Sequence, residues 1–281
     1  MLNLIFNLQF NHCGGEKNLR ERVQRSYRAR LRISARYIWY KVKSELAAEA
    51  SRNYLSHLWW ILEPCLMIGV FWVIFGVVFE RGGEGFVSFL VLGVTAWLWF
   101  AHTVGKATQS IRREMGLMLQ VYVPKYVFPF TAVLFGVFKH LFVLVVLVGL
   151  LLLLAEPTET WFYYFLIFLV QLLFVLAVST MLAAIVPFIP DLALVVPPLL
   201  QMTMFVSGVF YPQSMIPVRY VEYFRYNPMA GLIMEYRKVM LESQLPDFVY
   251  LSKVALCSAL LLIGALWFLN KFDRAYPRLT N

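Results

Sequence analysis

Residues 127–154 read VFPFTAVLFGVFKHLFVLVVLVGLLLLL. Lys139 and His140 are the only ionisable residues in the stretch, and it exceeds the roughly 20 residues that cross the hydrocarbon core of a bilayer. Backbone in lipid must satisfy its own hydrogen bonds, so such a run is read as a helix. Comparable runs occupy about 58–80, 86–104, 161–186, 191–211 and 248–270. The expected fold is an all-α polytopic membrane protein of six transmembrane helices. The run at 127–154 is long enough for Lys139 to sit near the inner interface and snorkel; a water-lined path is the alternative.

Composition agrees, with 60% of the 281 residues apolar and 15% charged against about a quarter charged in soluble domains. The net charge of +9 is concentrated at one end, because residues 1–57 hold eleven Lys and Arg against Glu16, Glu21, Glu45 and Glu49. A basic flank before the first span places the N-terminus in the cytoplasm. The segment 1–57 is thus read as cytoplasmic and 58–281 as one membrane domain, with no nucleic-acid partner required. The connection at 105–126 carries Lys106, Arg112, Arg113 and Lys125, and the tail carries Lys271, Arg274 and Arg278. Six crossings put both on the inside with the C-terminus. The opposite turn at 155–160 has Glu156 and Glu159 and no cation.

Within the basic segment, residues 27–48 interleave Arg28, Arg30, Arg32, Arg36, Lys41 and Lys43 with apolar and aromatic side chains, without Gly or Pro. That pattern predicts an amphipathic helix at the membrane surface. Between spans five and six, residues 212–247 balance four cations against four acids and are broken by Pro217 and Asn227-Pro228. Short re-entrant helices shielded by protein fit there.

Nothing in the chain points to an enzyme. His12, His57, His102 and His140 are scattered, and Cys13, Cys65 and Cys257 lack metal or redox spacing. A nucleotide loop at Gly105-Lys106 would need a glycine at Phe100 and a hydroxyl at Ala107. No catalytic residue, metal site or cofactor is expected in this chain. Aromatic residues suit interface belts and packing; a subset on spans one and five, Trp60, Phe71, Trp72, Phe75, Phe205, Phe210 and Tyr211, also suits stacking against sugar rings in a channel.

Three further stretches carry a resemblance. Tyr54 to Pro64 reads YLSHLWWILEP, Gly116 to Pro129 reads GLMLQVYVPKYVFP, and Phe210-Tyr211-Pro212 leads through Ile216-Pro217 and Asn227-Pro228 to Glu235 and Arg237. In this order, they resemble the transmembrane subunits of ABC-2 type transporters, especially the polysaccharide exporters for capsule and O-antigen. His57 stands where that family usually has glycine.

The resemblance implies two copies of this chain with two separate ATPase subunits, which hold ATP and Mg, in a bacterial inner membrane. A lipid-linked polysaccharide would pass between the copies, among membrane lipids and toward periplasmic or outer-membrane export proteins. Glu63-Pro64 favours capsule over O-antigen. The alternatives are an ABC-2 exporter of small molecules, lipids or teichoic acid, or a membrane scaffold or glycolipid enzyme.

By the same resemblance, residues 107–119 include the coupling helix. Ile111, Met115 and Met118 are expected to face the cytoplasm as an apolar plug, with Arg112, Arg113, Glu114 and Leu117 around them. Arg28, Arg30, Arg32, Arg36 and Arg52 would hold a charged lipid carrier at the entrance. Asn227, Pro228, Glu235 and Arg237 would mark the outer re-entrant segment, and Glu63 would be a helix-end or inter-helix hydrogen-bond partner rather than a substrate ligand.

Overall fold

The computed structural model describes residues 34–49, 51, 56–80, 83, 85–154 and 158–276, and these are helical with short connections. Helix α1 covers 34–49. Helix α2, Ser56–Phe71, continues as a π-helical turn over Trp72–Val78. Then come α3 (Phe86–Thr108), α4 (Ser110–Arg113), α5 (Met115–Gln120) and α6 (Val127–Leu154). The remainder is α7 (Tyr163–Ile185), α8 (Leu192–Val206), α9 (Val218–Tyr226), α10 (Pro228–Met240) and α11 (Phe248–Lys271).

Five of the described helices are long and apolar enough to cross a membrane: Leu58–Val78, Phe86–Thr108, Val127–Leu152, Glu159–Ile185 and Phe248–Lys271. The stretch expected as span five emerges shorter. Helix α8 has 15 residues, with Pro197 and Pro198 inside, and at 1.5 Å per residue it reaches only about 22 Å. The chain then turns at Ser207-Gly208, where Gly208 has φ +67°, a conformation open to glycine at little cost.

Helix α3 is the hub. It is the most buried of the five long helices and packs against α2, α6, α7, α8 and α10. Gln171 on α7 donates its Nε2 to the Ala96 carbonyl of α3 at 2.9 Å, which partners a buried polar nitrogen within the apolar core. By contrast α2 and α11 bury only 11% and 22% of their most apolar windows. Their outer faces are consistent with lipid contact, since lipid is as apolar as a protein core.

A second apolar cluster forms at one end of the bundle, where Ile111 and Met118 pack with Val127, Phe128, Ala184, Leu269 and Tyr276. Tyr276 ties the tail down by donating to the Ala184 carbonyl at 2.9 Å. The stretch 107–119 is therefore not a single helix with an outward apolar stripe. It is the end of α3 followed by α4 and α5, and Ile111 and Met118 are buried at 0% and 6% exposure. The expectation that they face the cytoplasm is corrected: the stripe is covered by the chain's own α6, α7 and α11.

Candidate functional site

A cavity of about 660 Å³ opens between α2, α3, α6 and α8. Its walls are mostly apolar, but Glu49, Glu63, Lys106 and Lys139 bring charge to it and His102 adds an imidazole. Ionisable residues on spans mark functional sites by default, because burying charge in lipid is costly. Glu63 on α2 lies 3.2 Å from His102 Nε2 on α3, so it is the inter-helix partner expected of it. His140 is buried, with its ring stacked 4.3 Å from that of Trp99.

Helix α1 borders the cavity and contributes Glu49 to its lining. Lys41, Glu45 and Glu49 recur every fourth residue, a spacing that aligns them on one helix face. Lys41 meets Glu114 at 2.6 Å, Glu45 meets Lys106 at 2.6 Å and Glu49 meets Lys139 at 2.8 Å. Trp60 of α2 donates to Glu49 at 3.0 Å. One stripe thus fastens α1 to α2, α3, α6 and the junction between α4 and α5. Burial raises the Glu49 pKa, but hydrogen bonds from Lys139 and Trp60, with the charges of Lys139 and Lys106, outweigh it and hold the carboxyl below its ordinary 4.5.

Of the residues expected at a lipid-carrier entrance, Arg36 is exposed on α1; Arg28, Arg30, Arg32 and Arg52 lie outside the described residues. In the segment expected to couple to an ATPase, Arg112 and Arg113 are exposed, while Glu114, Met115 and Leu117 are partly buried. Leu119 in this segment, and Val121 and Tyr122 just after it, are exposed apolar residues at 62%, 56% and 68%.

The aromatic residues fall into two groups. Phe71 of α2 and Phe75 of the π-helical turn stack on Phe210 at ring distances of 3.7 and 6.3 Å, and Phe205 joins them at 5.6 Å from Phe210. Phe210 is buried and Phe205 is half exposed. Tyr211 donates to the Phe205 carbonyl at 2.9 Å. Trp60 stands apart in the cavity wall, with its ring 5.8 Å from Phe142. Trp72 is 44% exposed on the π-helical turn.

The segment between α8 and α11 is organised by two side chains. Asn227 caps α10, accepting from the Met229 and Ala230 amides, with Pro228 in the first turn where its missing N–H costs nothing. Its Nδ2 donates to Ser207 Oγ at 2.8 Å. Arg237 enters from α10 and donates to the carbonyls of Gly208 and Val209, each at 2.7 Å, and to that of Phe89 at 3.1 Å. Its guanidinium lies against the Phe89 ring, 3.3 Å from the ring centre. Burial lowers its pKa to about 9, so it stays protonated at neutral pH. Glu235 is buried and accepts from Lys238 and from the Asp247 amide.

A family model described as ABC-2 type transporter matches residues 36–241, from α1 through α10. The chain belongs to the ABC-2 type transporter family. It is similar to the O-antigen export system permease protein RfbA of Myxococcus xanthus, 30% identical over 227 residues, which cover 80% of this chain and 87% of that protein. A protein of the same name from Klebsiella pneumoniae is 23% identical over 237 residues, 84% of this chain and 91% of its own length. The ABC-2 match contains the α1 stripe, the cavity and the Arg237 centre. In the sequence Lys139 and Glu63 stand out singly. The four-residue spacing of Lys41, Glu45 and Glu49 is the signal that would have found the stripe.

Proposed function

We propose that this chain is the transmembrane subunit of an exporter that moves a lipid-linked polysaccharide across the bacterial inner membrane, powered by a separate ATPase. The observation that carries the reading is the similarity, over four-fifths of the chain, to a permease of an O-antigen export system. The names of these relatives favour O-antigen, against the preference for capsule drawn from Glu63-Pro64. Two copies would form the conduit. Helix α8 serves as a short sixth crossing, with α9 and α10 re-entering from the outside. Both termini are then cytoplasmic, and α1 lies on the inner surface.

The ATPase would dock on α4 and α5 through the exposed Arg112, Arg113 and Leu119, with ATP and Mg held by that partner. The aromatic cluster around Phe210 would border the sugar path. Deletion of the chain, followed by mass spectrometry of surface glycan and intracellular glycolipid, tests the reading. Surface glycan should disappear while the lipid-linked form accumulates inside; unchanged surface glycan would refute it.

A further inference from the structure

Lys106 of α3 and Lys139 of α6 both project over the ring of Phe135, 3.1 and 5.7 Å from its centre. Both line the 660 Å³ cavity, whose neighbouring walls are apolar at Met67, Leu200 and Met204. Each faces a carboxylate from the same short helix, Glu45 and Glu49 of α1. Two cations fixed by the long helices meet two anions carried by one helix at the edge of the bundle. The side chains of both pairs are about one-third exposed, between 28% and 34%.

We propose that Lys106 and Lys139 form a binding site for the phosphate of an anionic lipid headgroup, which α1 holds closed by presenting Glu45 and Glu49 as substitutes for that phosphate. The proposal rests on the export reading above and names the chemistry at its entrance. Ion pairs this exposed contribute little net stability. A phosphate or diphosphate carries more charge and more acceptor oxygens than a carboxylate and makes stronger charge-assisted hydrogen bonds. Such a headgroup displaces the carboxylates, α1 moves aside, and the lipid chain lies along the apolar wall. The trade is between anions for the same two lysines, so no bare cation is left in the membrane at any stage.

A purely structural anchor makes a different prediction. If the pairs only fasten α1, removing either partner weakens the protein in the same direction. If they close a phosphate site, the two sides act oppositely. The test uses the full chain in detergent micelles, with farnesyl diphosphate, inorganic diphosphate and farnesol as probes and native mass spectrometry as readout. Wild type binds farnesyl diphosphate and ignores farnesol. The E45Q/E49Q variant binds farnesyl diphosphate about fivefold tighter, because the competing carboxylates are gone. The K106Q/K139Q variant binds it about tenfold more weakly.

Equal or weaker binding by E45Q/E49Q overturns the proposal. So does wild-type binding by the exchanged pair E49K/K139E, which keeps the anchor but moves the cation onto α1. Inorganic diphosphate competing as well as farnesyl diphosphate would assign the site to a free anion and reject the lipid. If K106Q/K139Q does not fold, E45Q/E49Q and the exchanged pair decide between the readings. Surface glycan in the deletion strain tests the export reading separately, so either can fail without the other.

Discussion

The guanidinium of Arg237 occupies the space that a side chain at position 93 would fill: a Cβ built on Gly93 collides with Arg237 Nη2 and meets the Val209 carbonyl at 2.9 Å. A small residue on α3 thus admits a cation from α10, and that cation holds the end of α8.

Replacing Gly93 by Ala should displace Arg237 and cost about 2–4 kcal/mol, combining overpacking with weakened charge-assisted bonds. Arg237→Lys keeps the charge but loses the fork that reaches Gly208 and Val209 together, and should cost about as much. Thermal unfolding in detergent checks both, and a wild-type midpoint for either would contradict the clamp.

Asn227→Ala removes a helix cap and the bond to Ser207, and should cost about 1–2 kcal/mol. Ser207→Ala should cost less, since the cap remains. A double-mutant cycle between the two positions should give a coupling of about 0.5–1 kcal/mol; additivity would show that the 2.8 Å contact contributes nothing.

Phe210→Ala should cost about 3–5 kcal/mol, because it opens a cavity between α2 and α8. Phe205→Ala, at a half-exposed position, should change stability by under about 1 kcal/mol. If sugars pass along this cluster, Phe205→Ala lowers export while thermal stability stays near wild type, which paired export and melting assays would show.

The attachment of α1 should depend on acid. Because the Glu49 pKa is held below 4.5 in the folded protein, its contribution is present above pH 4.5 and is lost as pH falls through the depressed value. Hydrogen exchange of the α1 amides, corrected for intrinsic rates, should accelerate only on that acid side. In Glu49→Gln the exchange should be faster at neutral pH and much of the acid response should vanish.

Leu119→Asp should leave the fold intact and reduce recovery of the ATPase with the permease, whereas Ile111→Asp should destabilise the end of the bundle by placing a charge in a buried cluster. Co-purification and thermal melting separate the two effects. Intact ATPase recovery with Leu119→Asp would remove α5 from the docking surface.

The long spans were legible because a run of 20 apolar residues admits few other structures. The shortness of α8 was not, since 207–211 stays mostly apolar and hydropathy is blind to a turn that glycine makes affordable. The stripe of Ile111, Met115 and Met118 was found, yet its direction was misread. Periodicity shows that a face is apolar without showing what covers it, and here the cover comes from α6, α7 and α11. Asn227 and Arg237 stood out through the resemblance, although their partners are a serine and main-chain carbonyls that carry no pattern. The α1 pairs escaped notice because Lys106 and Lys139 lie far along the chain from Glu45 and Glu49.

All three acceptors of Arg237 are main-chain carbonyls, and this has an evolutionary consequence. Any residue at 89 or 209 supplies the same carbonyl oxygen, so the hydrogen bonds themselves do not depend on those side chains, although the Phe89 ring against the guanidinium and the buried Val209 side chain are held by packing. The hydrogen bonds of the clamp depend most directly on the arginine itself and on the smallness of residue 93. Chains that share less than a third of their residues can therefore keep the same clasp, and a substitution at either of those two positions should be followed by a compensating one at the other.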